Sequence, residues 1–254
     1  MKIIDAHVHC GNSQLEGAKF YPKDEMLREL KEVNASGAVV MAFPEDIYRM
    51  ANTPAQRNEA NEYILKIARN EKDVHPFYFV WTDYIIPDNL DEYSGIKWHR
   101  HEGEPTYDYN SSACKDFLNE IKKLAIPVLL EEEFINTVKF IENNPKLTVI
   151  IPHIGESNGG SEKMEIFFDN PNVLFDTAIT DKDILQWAYD SVGPERLIFG
   201  TDSSACRPVV DNSLPVALKR HRELDTSNED LELIFSKNIE RILQVCNRKS
   251  NGRI

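Results

Sequence analysis

Eight short apolar runs, most of them separated by segments with helical periodicity, constrain the fold of this chain more than any other feature of its sequence. Each run has the length and composition of a buried strand. Strands that alternate with helices form parallel βαβ units with right-handed crossovers. The runs cover residues 2–9, 37–43, 74–81, 95–101, 126–132, 147–155, 172–178 and 196–202.

The intervals between the runs carry helix signals. Thr53, for example, stands where a helix cap is expected, and Pro54 follows at the first turn. The interval over residues 87–95 is the weakest and has room for no more than a turn or two. Helices are predicted over residues 23–33, 53–68, 112–125, 134–144, 160–170, 181–192 and 227–243.

Eight strands alternating with helices in 254 residues match the size of a single (β/α)8 barrel. A doubly wound open sheet is the structural alternative. Its first turn is expected to be rich in glycine, however, and the segment HVHCGNSQ lacks a GxGxxG motif. We therefore predict one barrel domain over residues 1–246, followed by a flexible tail over residues 247–254.

The formal net charge of −13 indicates which partners to expect. Such a charge repels polyanions, so nucleic acids and acidic membrane surfaces are not predicted partners. The four cysteines are widely spaced and include no CxxC pair, which favours a reducing compartment. The sequence also has no apolar run long enough to span a membrane and no room for a signal peptide before DAHVH. These features predict a cytoplasmic protein, and they leave assembly into a homo-oligomer open.

Polar residues occupy the carboxyl ends of five of the eight runs, where (β/α)8 barrels place their active sites. The first run contains DAHVH, in which Asp5, His7 and His9 alternate with apolar residues and are expected to share one face of the strand. The fourth, fifth, sixth and eighth runs end in KWHRH, LLEEE, PHIG and GTD. Because His, Asp and Glu bind divalent cations such as zinc and manganese, the sequence predicts a metal site at one rim of the barrel.

These motifs resemble those of the amidohydrolase superfamily, in the branch of amidohydrolase-related barrels that contains enzymes of the aminocarboxymuconate semialdehyde decarboxylase type. The matching motifs are DAHVH, GIKWH, IPVLLE, PHIG, NVLFDTA, IFGTD and IFSKNIERIL, and in order and spacing they cover nearly the whole chain. The resemblance implies a TIM barrel that holds a divalent metal ion and acts on a small molecule.

The resemblance also implies roles for individual residues. His7 and His9 would bind the metal, and Asp202 would complete the site from the last strand. His153 would be a further ligand or the group that polarises the substrate. Glu131 stands where most relatives have a histidine, and it is predicted to coordinate the metal through oxygen. Zinc is the expected metal, and manganese is the alternative.

The implied activity is hydrolysis of an ester, lactone or amide bond in a small molecule by a metal-activated water. Asp202 would accept the proton of the water and return it to the leaving group, and His153 would stabilise the oxyanion. Two alternatives stay open. The same parts could decarboxylate a small carboxylic acid, or the barrel could bind a ligand without turnover, because it lacks the usual histidine on the fifth strand.

Other residues near the strand ends are predicted to contact the substrate. Lys97, His99 and His101 occupy alternate positions of the fourth run, so all three could face the interior of the barrel. The two histidines are predicted to contact the substrate. Arg207 is predicted to bind a substrate carboxylate through the parallel N–H donors of its guanidinium group.

Four further predictions concern residues around the site. Asp5 is expected to orient an imidazole, and Asp176 to make buried hydrogen bonds. His221, in the charged segment KRHREL, is expected at the surface. The polar segment 101–112, which contains Tyr107 and Tyr109, is a candidate cap over the pocket.

Overall fold

All eight predicted strands are present, each within the apolar run that predicts it. The computed structural model describes residues 1–11, 21–44, 54–101, 103–203 and 211–243. Its strands are β1 (Ile4–His9), β2 (Gly37–Met41), β3 (Val74–Phe79), β4 (Gly95–His99), β5 (Val128–Glu131), β6 (Val149–Ile151), β7 (Val173–Asp176) and β8 (Leu197–Ile198). Nearly all of their residues are buried, as expected for parallel strands covered on both faces.

The strands form one parallel sheet in the order β1 to β8, and the sheet closes on itself. Ala6 N donates to Phe199 O at 2.9 Å, and His9 N donates to Ser203 O at 2.8 Å. These bonds join β1 to the chain that directly follows β8 and close the sheet, so the predicted (β/α)8 TIM barrel is confirmed. Closure also brings the HxH motif of β1 beside Asp202.

Helices surround the barrel. Within the described ranges they are α1 (Lys23–Glu32), α2 (Pro54–Asn70), α3 (Ser112–Leu124), α4 (Phe134–Asn143), α5 (Lys182–Val192), α6 (Leu214–Arg222) and α7 (Asn228–Glu232). The side chains of Ser111, Asp181 and Ser227 cap α3, α5 and α7 by accepting main-chain N–H groups of the first turn. Thr53, the predicted cap of α2, lies outside the described residues. The weak interval holds a single 3-10 turn, Leu90–Glu92, as predicted.

Two predicted helices need correction, and one helix of the structure was not predicted. Residues 160–170 contain a 3-10 helix, Ser161–Phe167, instead of an α-helix. The helix predicted over residues 227–243 is interrupted by a π-helical turn, Leu233–Lys237. The sequence pattern does not predict α6, because its four basic residues Lys219, Arg220, His221 and Arg222 make the segment look like a solvated surface.

His221 in α6 is fully buried, so the prediction that it lies at the surface is wrong. It shares a helix face with the buried Leu214, Ala217 and Leu218. Its Nδ1 donates to Ala217 O at 2.8 Å, and its Nε2 lies 2.8 Å from Thr177 Oγ1. Both ring nitrogens therefore have partners inside the protein, which makes burial of the polar ring tolerable.

The apolar core forms an inner and an outer layer. The outer layer packs the strands against the helices. The inner layer fills the barrel below the polar strand ends, and it consists of Ile4, Ala6, Val39, Met41, Phe77, Leu129, Ile150, Leu174 and Ile198 together with Ile239, Ile242 and Leu243 from the last described helical segment. Polar residues follow at the carboxyl ends of the strands, where His9, His99, Glu131 and Asp176 are the last residues of β1, β4, β5 and β7.

A register shift in β1 corrects the predicted orientation of Asp5. Between Asp5 and Val8 this strand has one residue more than β2, which breaks the alternation of faces. Asp5 therefore accepts hydrogen bonds from Thr201 N at 3.0 Å and Thr201 Oγ1 at 2.7 Å, instead of orienting an imidazole. Burial raises the pKa of its carboxyl to about 7. Asp5 thus ties β1 to the chain that follows β8.

None of the helices in the described ranges is both long and apolar enough to cross a membrane. The tail predicted over residues 247–254 lies outside the described residues, so the domain boundary stays a prediction.

Candidate active site

Strand β1 holds His7 and His9 in the barrel with their ring nitrogens in fixed positions. His7 Nδ1 lies 2.5 Å from Asp176 Oδ2, and His9 Nδ1 lies 2.7 Å from Ala42 O. Because both partners are acceptors, each Nδ1 carries a proton, and Nε2 is the nitrogen of each ring that is left to bind a metal. The two Nε2 atoms face each other at 3.3 Å. Burial, reinforced by the charge of Lys97, lowers the pKa of His7, which favours the neutral ring that binds metals.

Asp202 meets these two histidines from the chain that follows β8. Its Oδ1 lies 3.2 Å from His9 Nε2 and 3.5 Å from His7 Nε2. The backbone of Asp202 is left-handed, with a φ of 56°, and is held there because its N–H donates to His7 O at 2.8 Å and its carbonyl accepts from Asn212 Nδ2 at 2.7 Å. Burial alone would raise the pKa of the carboxyl, but His7 and His9 hold it far below its usual value.

We call His7, His9 and Asp202 the His7 group. Its three donor atoms, two imidazole nitrogens and one carboxylate oxygen, are separated by 3.2–3.5 Å. Tetrahedral zinc with bonds of 2.0–2.1 Å separates its ligands by about 3.3–3.4 Å, so the donor set fits such an ion. The buried side chains of the site include three carboxylates, of Glu131, Asp176 and Asp202, and one ammonium, of Lys97. The excess of negative charge would be balanced by a divalent cation.

His153 approaches Asp202 from a strained turn after β6. His153, Ile154 and Gly155 all have positive φ values, of 54°, 51° and 84°. The His153 ring stacks on that of His7, its Nδ1 donates to Ala178 O at 3.0 Å, and its Nε2 lies 3.9 Å from Asp202 Oδ2. Burial alone would lower the pKa of His153, but Glu131 and Asp202 raise it above its usual value.

Asp176 is the residue that orients His7. It ends β7, and it accepts from Ala178 N at 2.8 Å through the oxygen that does not contact His7. A Cβ atom at Gly200 would lie 2.4 Å from Asp176 Oδ1, so glycine is required for this approach. The predicted role in buried hydrogen bonding is thus present. Its position at a strand end, opposite the HxH motif, is the sequence signal for it.

Glu131, at the end of β5, belongs to a second cluster. We call Glu131, His99 and His101 the Glu131 group. His101 Nε2 lies 2.6 Å from Glu131 Oε1, and His99 Nε2 lies 3.7 Å from Glu131 Oε2. Glu131 Oε1 is also 3.8 Å from His153 Nε2, so the five predicted metal and catalytic residues converge at one rim. Coordination of a metal by Glu131 stays a prediction.

Lys97 is the site residue that the sequence reasoning left without a specific role. It is fully buried, and its Nζ lies 2.7 Å from Glu131 Oε2 and 3.4 Å from His7 Nε2. The sequence does contain an indication of this position, because Lys97 lies between apolar residues of a predicted buried strand and two residues before His99.

The predicted substrate contacts differ in accessibility. His99 is buried, whereas the side chain of His101 is 48% exposed at the mouth of the barrel. The bond to Glu131 raises the pKa of His101. Arg207 lies outside the described residues, and all three contacts stay predictions.

Tyr107 and Tyr109 hold their segment against the outside of the barrel. Both rings pack on Trp98 in the outer core layer. Tyr107 Oη donates to Val80 O at 3.0 Å, and Tyr109 Oη donates to Glu132 Oε2 at 2.6 Å. These two residues therefore anchor the segment instead of covering the pocket.

Comparisons with known proteins agree with this architecture. The structure resembles a probable 2-pyrone-4,6-dicarboxylic acid hydrolase from Acinetobacter baumannii with citric acid bound, at 15% identity and a TM-score of 0.74, with 96% of this chain and 100% of that chain covered. It also resembles a 2,6-dihydroxybenzoate decarboxylase from Rhizobium and an amidohydrolase from Burkholderia multivorans with bound zinc. Both of these have 13% identity and a TM-score of 0.73, with 96% of this chain and 99% of those chains covered. At such identities the likeness shows the fold.

No curated protein matches the chain by sequence. The model of the amidohydrolase family matches residues 116–245, which is just over half of the chain and includes Glu131, His153 and Asp202. The strand ends that carry these residues and the HxH motif of β1 meet at one rim of the barrel. The chain belongs to the amidohydrolase family.

Proposed function

We propose that this protein is a metal-dependent hydrolase that cleaves an ester, lactone or amide bond of a small molecule. The observation that carries the proposal is the convergence of His7 Nε2, His9 Nε2 and Asp202 Oδ1 within 3.2–3.5 Å of one another. These three residues would hold the ion, with His153 beside them. A bound zinc or manganese ion would supply the positive charge that makes a water acidic near neutral pH.

Asp202 is suited to move the proton of that water. Its Oδ1 faces His7 and His9, and its Oδ2 faces His153. As a carboxylate it can accept a proton from the water and return it to the leaving group. His153 is suited to the opposite task, because its raised pKa favours donation from Nε2 to the oxygen on which negative charge develops.

Elemental analysis of the purified chain tests the metal site. We expect about one equivalent of zinc or manganese per chain after supplementation. A chain that takes up neither metal would contradict the proposal and would favour the barrel that binds a ligand without turnover.

Replacement of Asp202 tests the mechanism. Asp202→Asn keeps the side-chain volume and one coordinating oxygen but cannot accept the proton. Turnover of lactones, esters or amides found by screening should therefore fall by about 10² to 10⁴, while most of the metal stays bound. Asp116→Asn, an exposed carboxylate on α3, is the control. Near-normal turnover in Asp202→Asn would move the proton transfer to another group.

The same screen separates hydrolysis from decarboxylation. Hydrolysis consumes water and leaves all carbon in solution, whereas decarboxylation releases carbon dioxide from a carboxylic acid. Carbon dioxide release from a substrate that has no hydrolysable bond would replace the proposed hydrolase with a decarboxylase.

A further inference from the structure

Lys97 lies between the His7 group and the Glu131 group. Its side chain is fully buried, and its Nζ contacts one member of each group, Glu131 Oε2 at 2.7 Å and His7 Nε2 at 3.4 Å. The second contact is made with the nitrogen that the proposed function assigns to the metal. An ammonium in this position repels a divalent ion unless its charge is balanced.

Glu131 supplies a charge of the opposite sign at the required place. Its Oε2 accepts from Lys97 and its Oε1 contacts His101 Nε2 at 2.6 Å, so both oxygens already have partners. Each of these contacts has the length of a charge-assisted hydrogen bond, whereas the shortest separation between donor atoms in the His7 group is 3.2 Å. The two groups therefore differ: one contains a bonded ion pair, and the other contains imidazole and carboxylate donor atoms at the spacing of metal ligands.

We propose that Glu131 is the counter-ion of Lys97 and not a metal ligand, so that the Lys97–Glu131 pair presents no net charge to an ion held by the His7 group. This inference rests on the proposed function, because it concerns the affinity for the metal of that site. The pair acts through charge alone, and both members are positioning residues.

The inference predicts opposite effects for the two single substitutions. Glu131→Gln leaves the ammonium of Lys97 unbalanced beside His7, which should weaken metal binding. Lys97→Met leaves the carboxylate of Glu131 unbalanced, which should strengthen it. Lys97→Met/Glu131→Gln removes both charges and should bind metal as the wild type does. If Glu131 were a ligand, the double variant would still lack one donor and would stay clearly weaker than the wild type.

The test is a double-mutant cycle on the full chain, with the dissociation constants for Zn²⁺ and Mn²⁺ measured by competition with a chelator. Glu131→Gln should bind at least about tenfold more weakly and Lys97→Met at least about tenfold more tightly, since a unit charge this close to a divalent ion has a large effect even at a high effective dielectric constant. The double variant should lie within about threefold of the wild type. A stabilising scaffold role for Lys97 would not produce tighter binding on its removal.

Either single variant leaves one buried charge without its partner and could fail to fold. The double variant leaves neither charge without its partner, so its metal affinity tests the inference even if both single variants fail to fold. Wild-type affinity supports the ion pair, and weakened affinity supports Glu131 as a ligand and overturns the inference. If the wild type binds neither metal, the proposed function fails as well, whereas tight wild-type binding with a weak double variant overturns only the inference.

Discussion

The His7 group and the Glu131 group contain the same residue types, two histidines and one carboxylate, yet they are built for different tasks. In each group the histidines are two residues apart near the end of one strand, and the carboxylate comes from a neighbouring strand end. In the His7 group, Asp176 and Ala42 O accept from Nδ1 of the two rings, so both Nε2 atoms face Asp202. In the Glu131 group, the carboxylate is already bonded to Lys97 and His101.

The comparison teaches that residue type alone does not identify a metal site. A donor atom is available to a cation only when its proton is held elsewhere, and the groups that hold it are not part of the motif. For His7 that group is Asp176, which is 169 residues away in the sequence. Asp176 can reach the ring only because Gly200 has no side chain.

The largest expected effect comes from a matched pair of substitutions, one in each group. His9→Ala removes a proposed ligand and should weaken zinc binding by more than about 100-fold, the upper range for loss of a group that merely orients a ligand. His99→Ala removes an equally buried imidazole from the other group and should leave zinc affinity within about threefold. Chelator competition measures both values. Equal losses in the two variants would remove the distinction between the groups.

Asp176→Asn should have the next largest effect. The asparagine can keep the bond from Ala178 N through its oxygen, but its NH2 group then faces His7 Nδ1 and moves the ring proton to Nε2. Metal affinity should fall by about 10- to 100-fold with little loss of fold, as for other partners of metal-binding histidines. Zinc affinity and a thermal unfolding curve check this. Unchanged affinity would show that Asp176 does not set the tautomer of His7.

His221 shows the effect of burial on the pKa of a histidine without the effect of a carboxylate in contact with the ring. Burial lowers the pKa of His221 to about 4 from its ordinary 6.5, whereas carboxylates raise that of the equally buried His153. The unfolded chain therefore binds a proton at His221 more readily than the folded chain between pH 6.5 and 4. Stability that is present above pH 6.5 is lost as the pH falls through this window.

His221→Gln should remove that part of the acid sensitivity, on the order of 1–2 kcal/mol between pH 6.5 and 4. Urea unfolding of the wild type and the variant at several pH values measures the difference. Parallel pH profiles for the two proteins would show that His221 is not buried as a neutral ring.

The smallest effect is expected for His101→Gln. Its side chain is 48% exposed, and Glu131 keeps its bond to Lys97 when His101 is removed. Zinc affinity should stay within about threefold of the wild type, and stability should change by less than about 1 kcal/mol, because the His101 end of the pair is half exposed and Glu131 keeps Lys97 as a partner. A large loss of zinc would place His101 among the ligands and would join the two groups into one site.

Patterns that repeat along the chain predict most of the fold. The eight strands lie where apolar runs occur, since a parallel strand buried on both faces must be apolar over its whole length. The α6 helix is not predicted from such patterns, because its basic residues mask the apolar helix face formed by Leu214, Ala217 and Leu218. The segment Ser161–Phe167 has the composition of an α-helix, but it is a 3-10 helix that follows the positive φ values of Gly159 and Gly160.

The sequence predicts which residues form the candidate site, but it does not predict how their side chains are oriented and paired. The motifs at the strand ends place His7, His9, Glu131, His153 and Asp202 at one rim, and the structure brings them together there. The register shift in β1 is invisible in DAHVH, so the different orientation of Asp5 could not be foreseen.

The sequence by itself determined that the chain forms parallel strands with helices between them and that His, Asp and Glu residues end those strands, because both properties are local and periodic. Only the tertiary structure decided which nitrogen of each histidine faces the proposed metal site and which carboxylate already has a partner. Those properties depend on Asp176 and Lys97, which reach His7 across the barrel from β7 and β4. Hydrogen bonds between strands so far apart in sequence are set by closure of the barrel, and no local pattern encodes them.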